Sequence, residues 1–297
     1  MIPTREELIF PVDSALSDID NNTTQYLNIL QWNCDHFPAK LQFLLDNIRN
    51  RNIHIILLSE GDKFYHEFTP SGKIDKVTHC KLPNINGFNC YNDFHGKSAI
   101  YIKQTITHEH ININYTINNE DASYTLYRTW IKLIPPNKHL KPTFIASVYR
   151  PPNKHNDILD LFTDISTIKQ LHGTSIYWLI GGDLNCKHLI VGSHITNAKT
   201  IPAKQGYRLI KKLDELSAII LNNGEHTHHH KYHKNFNVLD WTIHSSHMDT
   251  TSSDWRTTHD KLNSDHYIIL FQIQHKSVIN TIHPIWKLNI HISPNWD

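Results

Sequence analysis

The chain has 297 residues, too many for a disulfide-stapled miniprotein and enough for one large domain or two ordinary ones. Apolar residues make up 39% and charged residues 19%, which excludes a charged disordered tail and predicts a packed core. With 29 basic against 28 acidic side chains the formal net charge is +1, so no bulk cationic field advertises nucleic acid or anionic lipid, and any polyanion has to be held by local patches.

Cys34, Cys80, Cys90 and Cys186 show no CxxC spacing and are too few for a disulfide framework in a chain of this length, so a reduced intracellular setting is expected. Residues 1–25 carry no sustained period and read as a loosely ordered lead-in. Arg5, Glu6 and Glu7 interrupt its apolar residues, which argues against a signal peptide. No apolar run approaches the length of about 18 residues that a membrane helix needs, so no membrane partner is expected.

The main domain is expected over residues 26–275. Leu27 to Asn33 reads as a strand; Leu41, Leu44, Leu45 and Ile48 then fall at helical spacing after Pro38, and the apolar run Ile53 to Leu58 follows as a strand buried on both faces. From Gly87 to Ile134 the pattern changes to short pieces rich in Tyr, Ile and Thr (GFNCYN, KSAIYIK, TITHEHI, YTLYRTWIKLI), which predict antiparallel strands. Thr143 to Tyr149 is a further strand, stopped by Arg150-Pro151-Pro152. Ile158, Leu161, Phe162 and Ile165 predict a helix before the strand SIYWLIGG, and Leu209, Leu213 and Leu216 mark another within Ala203 to Leu216. AIILNN, VLDWTIHS and HYIILFQI complete the strands, and residues 276–297, with Pro284 and Pro294, read as a linker-like tail. The expected fold class is α/β, a four-layered sandwich of two mixed β-sheets flanked by helices.

Four polar clusters stand at strand ends, where side chains converge on a cleft. They are Asn33; Glu60, an oxygen ligand suited to a hard cation; Asp183 and Asn185 after the glycine pair Gly181-Gly182; and Ser264-Asp265-His266, with Asp240 as a partner for the histidine. Each has a plain alternative: an Asx turn at Asn33, a solvated carboxylate at Glu60, a glycine-led turn at Asp183, a surface pair at Asp265 and His266. Their common position at strand ends favours a shared site.

These residues carry a resemblance. QWN at Gln31 to Asn33, the strand ending in Glu60, Tyr149-Arg150-Pro151-Pro152, GGDLN at Gly181 to Asn185, Leu239-Asp240 and SDH at Ser264 to His266 resemble the endonuclease/exonuclease/phosphatase family. Within it the chain is most similar to the apurinic-endonuclease-like domain of non-LTR retrotransposon polyproteins, both in the stretch GGDLNCKHLIVGSHITN and in the tail HPIWKLNIHISPNW, which resembles the segment joining endonuclease to reverse transcriptase. The resemblance implies a phosphodiesterase using one or two Mg²⁺ or Mn²⁺ ions. Glu60 with help from Asn33 would hold the metal, and Asp265 would complete its shell. Asp183 would activate the attacking water, Asn185 would donate to the phosphate and Tyr149 would stabilise developing charge. His266, oriented by Asp240, would bind a phosphate oxygen in the transition state. Two positions depart from the family pattern: Ser59 stands where Gln is usual, which predicts reduced activity, and Val191 stands where Trp precedes Gly192-Ser193.

Among 24 histidines, the tract His226 to His230 with His233 suggests a zinc site, but adjacent histidines on an extended segment point to opposite sides and no cysteine is near, so a solvated loop is the stronger expectation. Within it Thr227 matches a threonine placed near DNA in the resemblance. Arg208 and Lys211, beside Tyr207 and Lys212, form a small basic helix start that either contacts a DNA backbone or is simply solvated. Trp130, Trp178 and Trp241 sit inside strand-like runs and are expected in the core.

The functional expectation is a DNA endonuclease that nicks target DNA for retrotransposition, intracellular and, by its substrate, nuclear. A reverse transcriptase domain of a longer polyprotein is the implied partner. The alternatives are a same-fold phosphodiesterase acting on abasic DNA or a lipid or inositol phosphate, and a relic that only binds nucleic acid.

Overall fold

The computed structural model describes residues 25–61, 65–68, 74–78, 82–93, 95–113, 126–135, 139–152, 158–230, 235–246, 248, 254–258 and 260–275. The expected lead-in and tail, together with Cys80 and His233, lie outside the described residues, apart from Gln25. In chain order the elements are β1 Gln25–Asn33, α1 Leu41–Arg51, β2 Ile55–Ser59, β3 Tyr65–Phe68, β4 Ile74–Thr78, β5 Phe88–Asn92, β6 Ser98–Lys103, β7 His108–Ile111, β8 Tyr127–Leu133 and β9 Thr143–Tyr149. They continue with α2 Asp160–His172, β10 Tyr177–Asp183, α3 Ile201–Glu215, β11 Ile219–Ile220, β12 His228–His229, β13 Phe236–Asn237, β14 Asp240–His244, β15 Arg256–Thr257 and β16 Ile269–His275.

Two six-stranded sheets result, in the orders β15-β16-β1-β2-β6-β5 and β11-β14-β10-β9-β8-β7. Each is mixed, with one parallel pair bridged by a helix, β1 and β2 through α1 and β9 and β10 through α2, and antiparallel neighbours on either side. Side chains on a strand alternate between its faces, so each strand feeds two layers. In β1, Leu27 and Ile29 point into the core between the sheets, with Ile55, Leu57, Ile145 and Leu179, whereas Leu30 and Trp32 pack outward with Leu44 and Ile48 of α1. Phe144, Ile180, Trp178 and Trp241 face the other way, onto α2 and α3 through Phe162, Ile165, Leu209 and Leu213. The order helix, sheet, sheet, helices is the predicted four-layered sandwich, and Trp130, Trp178 and Trp241 are buried as expected. Burying each such Ile or Leu contributes about 1.5–3 kcal/mol.

The glycine pair belongs to the strand, as expected of SIYWLIGG, and the alternative of a glycine-led turn fails. Gly181 and Gly182 lie within β10 and do not open a turn. Their function is close approach. A Cβ on Gly181 would fall 2.5 Å from Gln31 Oε1 and 2.7 Å from Leu57 Cδ1 of the facing sheet, and one on Gly182 would lie 1.9 Å from the Val148 carbonyl oxygen. The hairpin of β3 and β4, unmarked by strong alternation, was not anticipated, nor were the two-residue pairs β12 with β13 and β15 on β16. AIILNN contributes only Ile219–Ile220, and TITHEHI only His108–Ile111.

Candidate active site

The same alternation that builds the core delivers the polar residues. Asn33 is the last residue of β1, and it follows Leu27, Ile29 and Gln31 on the face turned toward the second sheet. Asp183 ends β10 on the facing surface, in register with Tyr149 at the end of β9 and Asp240 at the start of β14. Ser59 ends β2 opposite Asn33, so Glu60 is the first residue beyond the ladder. Glu60 takes a left-handed φ of 54°, and Asn185 one of 45°, so both turn sharply off their strands. The chain from Ser264 to His266 is tied to this rim. The Ser264 hydroxyl donates to the Asn33 carbonyl at 2.7 Å and accepts from the His266 N–H at 3.1 Å, and the Trp32 indole donates to the His266 carbonyl at 3.3 Å.

The outcome is an open pocket of about 640 Å³ lined by Asn33, Glu60, Tyr149, Asp183, Asn185, Asp265 and His266. Asp183 is at its buried end, only 1% exposed. Its Oδ2 accepts from Asn33 Nδ2 at 2.8 Å and Asn185 Nδ2 at 2.9 Å, and its Oδ1 from the Asn185 N–H at 2.9 Å. His266 Nδ1 is 2.7 Å from Asp240 Oδ2, and its Nε2 is 3.8 Å from Asp183 Oδ2. The Tyr149 hydroxyl donates to Glu60 Oε1.

The electrostatics follow from crowding of carboxylates in a buried space. Burial pushes Asp183 up to about 8; His266 opposes the shift, and the Asp240 and Glu60 charges add to it. Burial pulls His266 down, but Asp240, Asp183 and Asp265 outweigh it and raise the imidazole to about 10. Burial and the Glu60 charge hold the Tyr149 hydroxyl well above its ordinary value, so it is a donor throughout the useful pH range. Asp265 is held below the usual carboxylate range by its contact with His228, ahead of the opposing effect of burial. An oxygen-rich pocket whose acid is destabilised by burial and then by its neighbours' charge is a donor set that a hard divalent cation fits.

All eight catalytic and metal candidates meet here, but with altered partners. Asn33 was expected to help Glu60 hold a metal. Its amide nitrogen donates to Asp183 and its oxygen accepts from the Asp35 N–H at 3.1 Å, so it also positions Asp183. Asn185 gives both amide hydrogens to neighbours, Asp183 Oδ2 and the Arg150 carbonyl, the latter at 2.9 Å. Thr227 was expected near DNA. It is 0% exposed, and its hydroxyl accepts from the Leu239 and Asp240 N–H groups at 3.0 and 3.1 Å, fixing the strand that carries Asp240. Arg208 and Lys211 are exposed on α3, outside the pocket lining. Sequence reasoning missed Lys187, His228, His230 and Asn237, which also line the pocket. The histidine tract was the visible signal for two of them.

Ser59 has a structural function where Gln was expected. Its hydroxyl donates to the Val148 carbonyl at 2.9 Å and accepts from the Asp183 N–H at 3.2 Å, bridging the two sheets directly behind the buried acid.

Residues 143–270 match the family model described as endonuclease-reverse transcriptase. No curated protein matches the chain. Among solved structures, the endonuclease domain of TRAS1, a telomere-specific non-LTR retrotransposon, is similar at 19% identity with a TM-score of 0.58, covering 83% of this chain and 98% of that one. An AP endonuclease from Leishmania major aligns at 12% identity and TM-score 0.57, over 90% of this chain and 93% of its own. The Xenopus laevis APE2 catalytic domain aligns at 12% and 0.56, over 86% and 94%. At these identities the structures establish a shared fold.

Proposed function

We propose, from the premise that the chain carries an apurinic-endonuclease-like domain of the endonuclease/exonuclease/phosphatase family, that it is a divalent-metal-dependent phosphodiester hydrolase that nicks DNA. The observation that carries this reading is the convergence of Glu60, Asp183 and Asp265 with the Asp240–His266 pair around one open pocket. In-line attack on a diester needs an activated water, a cation and donors aimed at the equatorial oxygens. Glu60, with help from Asn33 and with Asp265 completing the shell, would hold Mg²⁺ or Mn²⁺, which would neutralise charge at the scissile phosphate and the leaving oxygen. Asp183, kept in one orientation by Asn33 and Asn185, orients the water and takes its proton. His266, its Nδ1 anchored on Asp240, presents Nε2 to a phosphate oxygen. Tyr149 orients Glu60 and stands beside the developing charge.

Double-stranded DNA is the substrate favoured by the endonuclease-reverse transcriptase family match and by the TRAS1-like fold. On this reading the nick leaves a 3′-hydroxyl that primes copying by a reverse transcriptase domain of a longer polyprotein, and the work is done in the nucleus. The exposed Arg208 and Lys211 are backbone contacts in this scheme. Incubation with supercoiled plasmid tests it: Mg²⁺ produces open circles, EDTA prevents them, and Asp183→Ala and His266→Ala give none. Nicking that survives in both variants rules out the assignment. Faster cleavage of an abasic duplex than of plasmid transfers the substrate to damaged DNA.

A further inference from the structure

His228 lines the pocket and has no part in the hydrolytic scheme. It begins β12, and its backbone pairs with that of His266 as a single antiparallel bridge. The adjoining bonds run from the His229 N–H to the Asp265 carbonyl and from the Tyr267 N–H to the Thr227 carbonyl, both 2.8 Å. This stitching puts the two imidazoles on one face, with ring centroids 4.7 Å apart. His228 Nε2 lies 3.5 Å from Asp265 Oδ2, and His266 Nε2 lies 4.0 Å from Asp265 Oδ1. One donor atom from each of the three residues falls within 4.8 Å of the others.

These are the separations of a metal site standing slightly open. A tetrahedral ion with bonds of about 2.0–2.2 Å holds its ligands roughly 3.3 Å apart, so side-chain shifts of an ångström or less close the set. Asp240 Oδ2 lies 2.7 Å from Nδ1 of His266 and favours a proton there, so an arriving ion takes Nε2 by displacing its proton, giving the carboxylate–imidazole–metal arrangement of bound zinc. His228 is 8% exposed, and its buried Nδ1 has no hydrogen-bond partner. The alternation argument against a zinc site in the tract holds for neighbours within it: His229 turns away, stacked on Phe236 at 4.5 Å with Lys261 Nζ 3.0 Å from its Nδ1. Only one histidine of the tract is needed, because the other two ligands arrive from the segment before β16.

We propose that His228, Asp265 and His266 form a site for a borderline-soft transition cation, Zn²⁺ above all, and that its occupancy blocks hydrolysis. Two imidazoles and one carboxylate favour such an ion over Mg²⁺, which seeks oxygen. Three protein ligands leave a fourth position for water. Inhibition arises because the ion takes Nε2 of His266, the atom assigned to the phosphate; this half rests on the hydrolase reading, whereas binding itself does not.

The metal-stripped full chain, held in excess Mg²⁺, is titrated with Co²⁺ by visible absorption and with Zn²⁺ in competition. One ion per chain is expected, with His228→Ala weakening Zn²⁺ by at least about tenfold and His229→Ala leaving it unchanged. Equal Zn²⁺ affinity in wild type and His228→Ala overturns the site. His228→Gln replaces the alanine variant if its circular dichroism departs from wild type. In plasmid nicking, each variant normalised to its own Mg²⁺ rate, Zn²⁺ inhibits wild type and His228→Ala needs at least about tenfold more of it. A Zn²⁺-insensitive wild type overturns the inhibition. A chain that binds Zn²⁺ through His228 yet never nicks retains the site and loses the hydrolase.

Discussion

Asp240 is the residue on which the pH behaviour turns. It sits 2.7 Å from His266 Nδ1 and is the largest of the influences that raise that imidazole, to about 10, against the pull of burial. The scheme uses the protonated ring as a donor to phosphate, so activity is present below the His266 pKa and is lost as pH rises through it. Asp240→Asn lowers that pKa, moves the alkaline limb of the pH–rate profile toward neutrality, and at mildly alkaline pH reduces kcat by roughly 10²-fold, the value of one lost transition-state donor. A profile whose alkaline limb stays put in the variant takes His266 out of that role. Asp240, His266 and Asp183 were legible in the sequence because each adjoins an apolar run whose period places it. The tasks of Asn33 and Thr227 were not legible, since they are set by hydrogen-bond partners 150 and 12 or 13 residues distant.

Elements with a long apolar pattern were read well, because burial on alternate positions specifies both type and facing. The central strands β1, β2, β9 and β10 and the three helices follow their periodicity closely. Strands β12 and β13 escaped because two residues carry no period; their position comes from tertiary bonds, among them the Thr227 N–H to Asn237 carbonyl at 3.0 Å. How helices are fastened was equally invisible. Asp164 of α2 takes Arg128 Nε at 2.5 Å, Arg128 Nη2 at 3.1 Å and the Trp130 indole at 2.9 Å, joining the helix to β8. Both charges are nearly buried, the side chains 9% and 2% exposed. Asp164→Ala takes the buried carboxylate from the guanidinium and lowers stability by about 3–5 kcal/mol in urea denaturation, whereas the loss of an ordinary surface pair costs under about 1 kcal/mol. At β10, Gly182→Ala costs about 3 kcal/mol by the same measurement, because its methyl group has to displace the Val148 carbonyl. A variant as stable as wild type means that β9 and β10 can separate there.

At the scale of the whole molecule, the site exists only while the two sheets keep their alignment, since Asn33 and Glu60 belong to one and Tyr149, Asp183 and Asp240 to the other. An apolar interface is tolerant of sliding, and the structure counters this with polar stitches at the end nearest the pocket. Gln31 donates to the Trp241 carbonyl at 3.2 Å and accepts from Thr242 Oγ1 at 2.9 Å; Ser147 Oγ donates to the Leu58 carbonyl at 2.9 Å; Ser59 joins the Val148 carbonyl to the Asp183 N–H. The carboxylates gathered behind them repel one another, so Mg²⁺ should raise the melting temperature reversibly; saturation a hundredfold above Kd contributes about 2.7 kcal/mol. Ser59→Ala isolates the stitch from the chemistry, because the serine is not part of the pocket lining and its hydroxyl bonds to backbone groups. Removing its hydroxyl leaves two buried backbone groups without that partner, at about 1–3 kcal/mol, or roughly 2–4 °C per kcal/mol in Tm for a domain of this order. Asp183 then loses the anchor of its own N–H, so kcat should fall while the Mg²⁺-induced rise in Tm persists, the cation's ligands being intact. If Ser59→Ala melts earlier but nicks at the wild-type rate, sheet alignment and catalysis are uncoupled, and the serine is only packing in place of the glutamine that the family pattern leads one to expect.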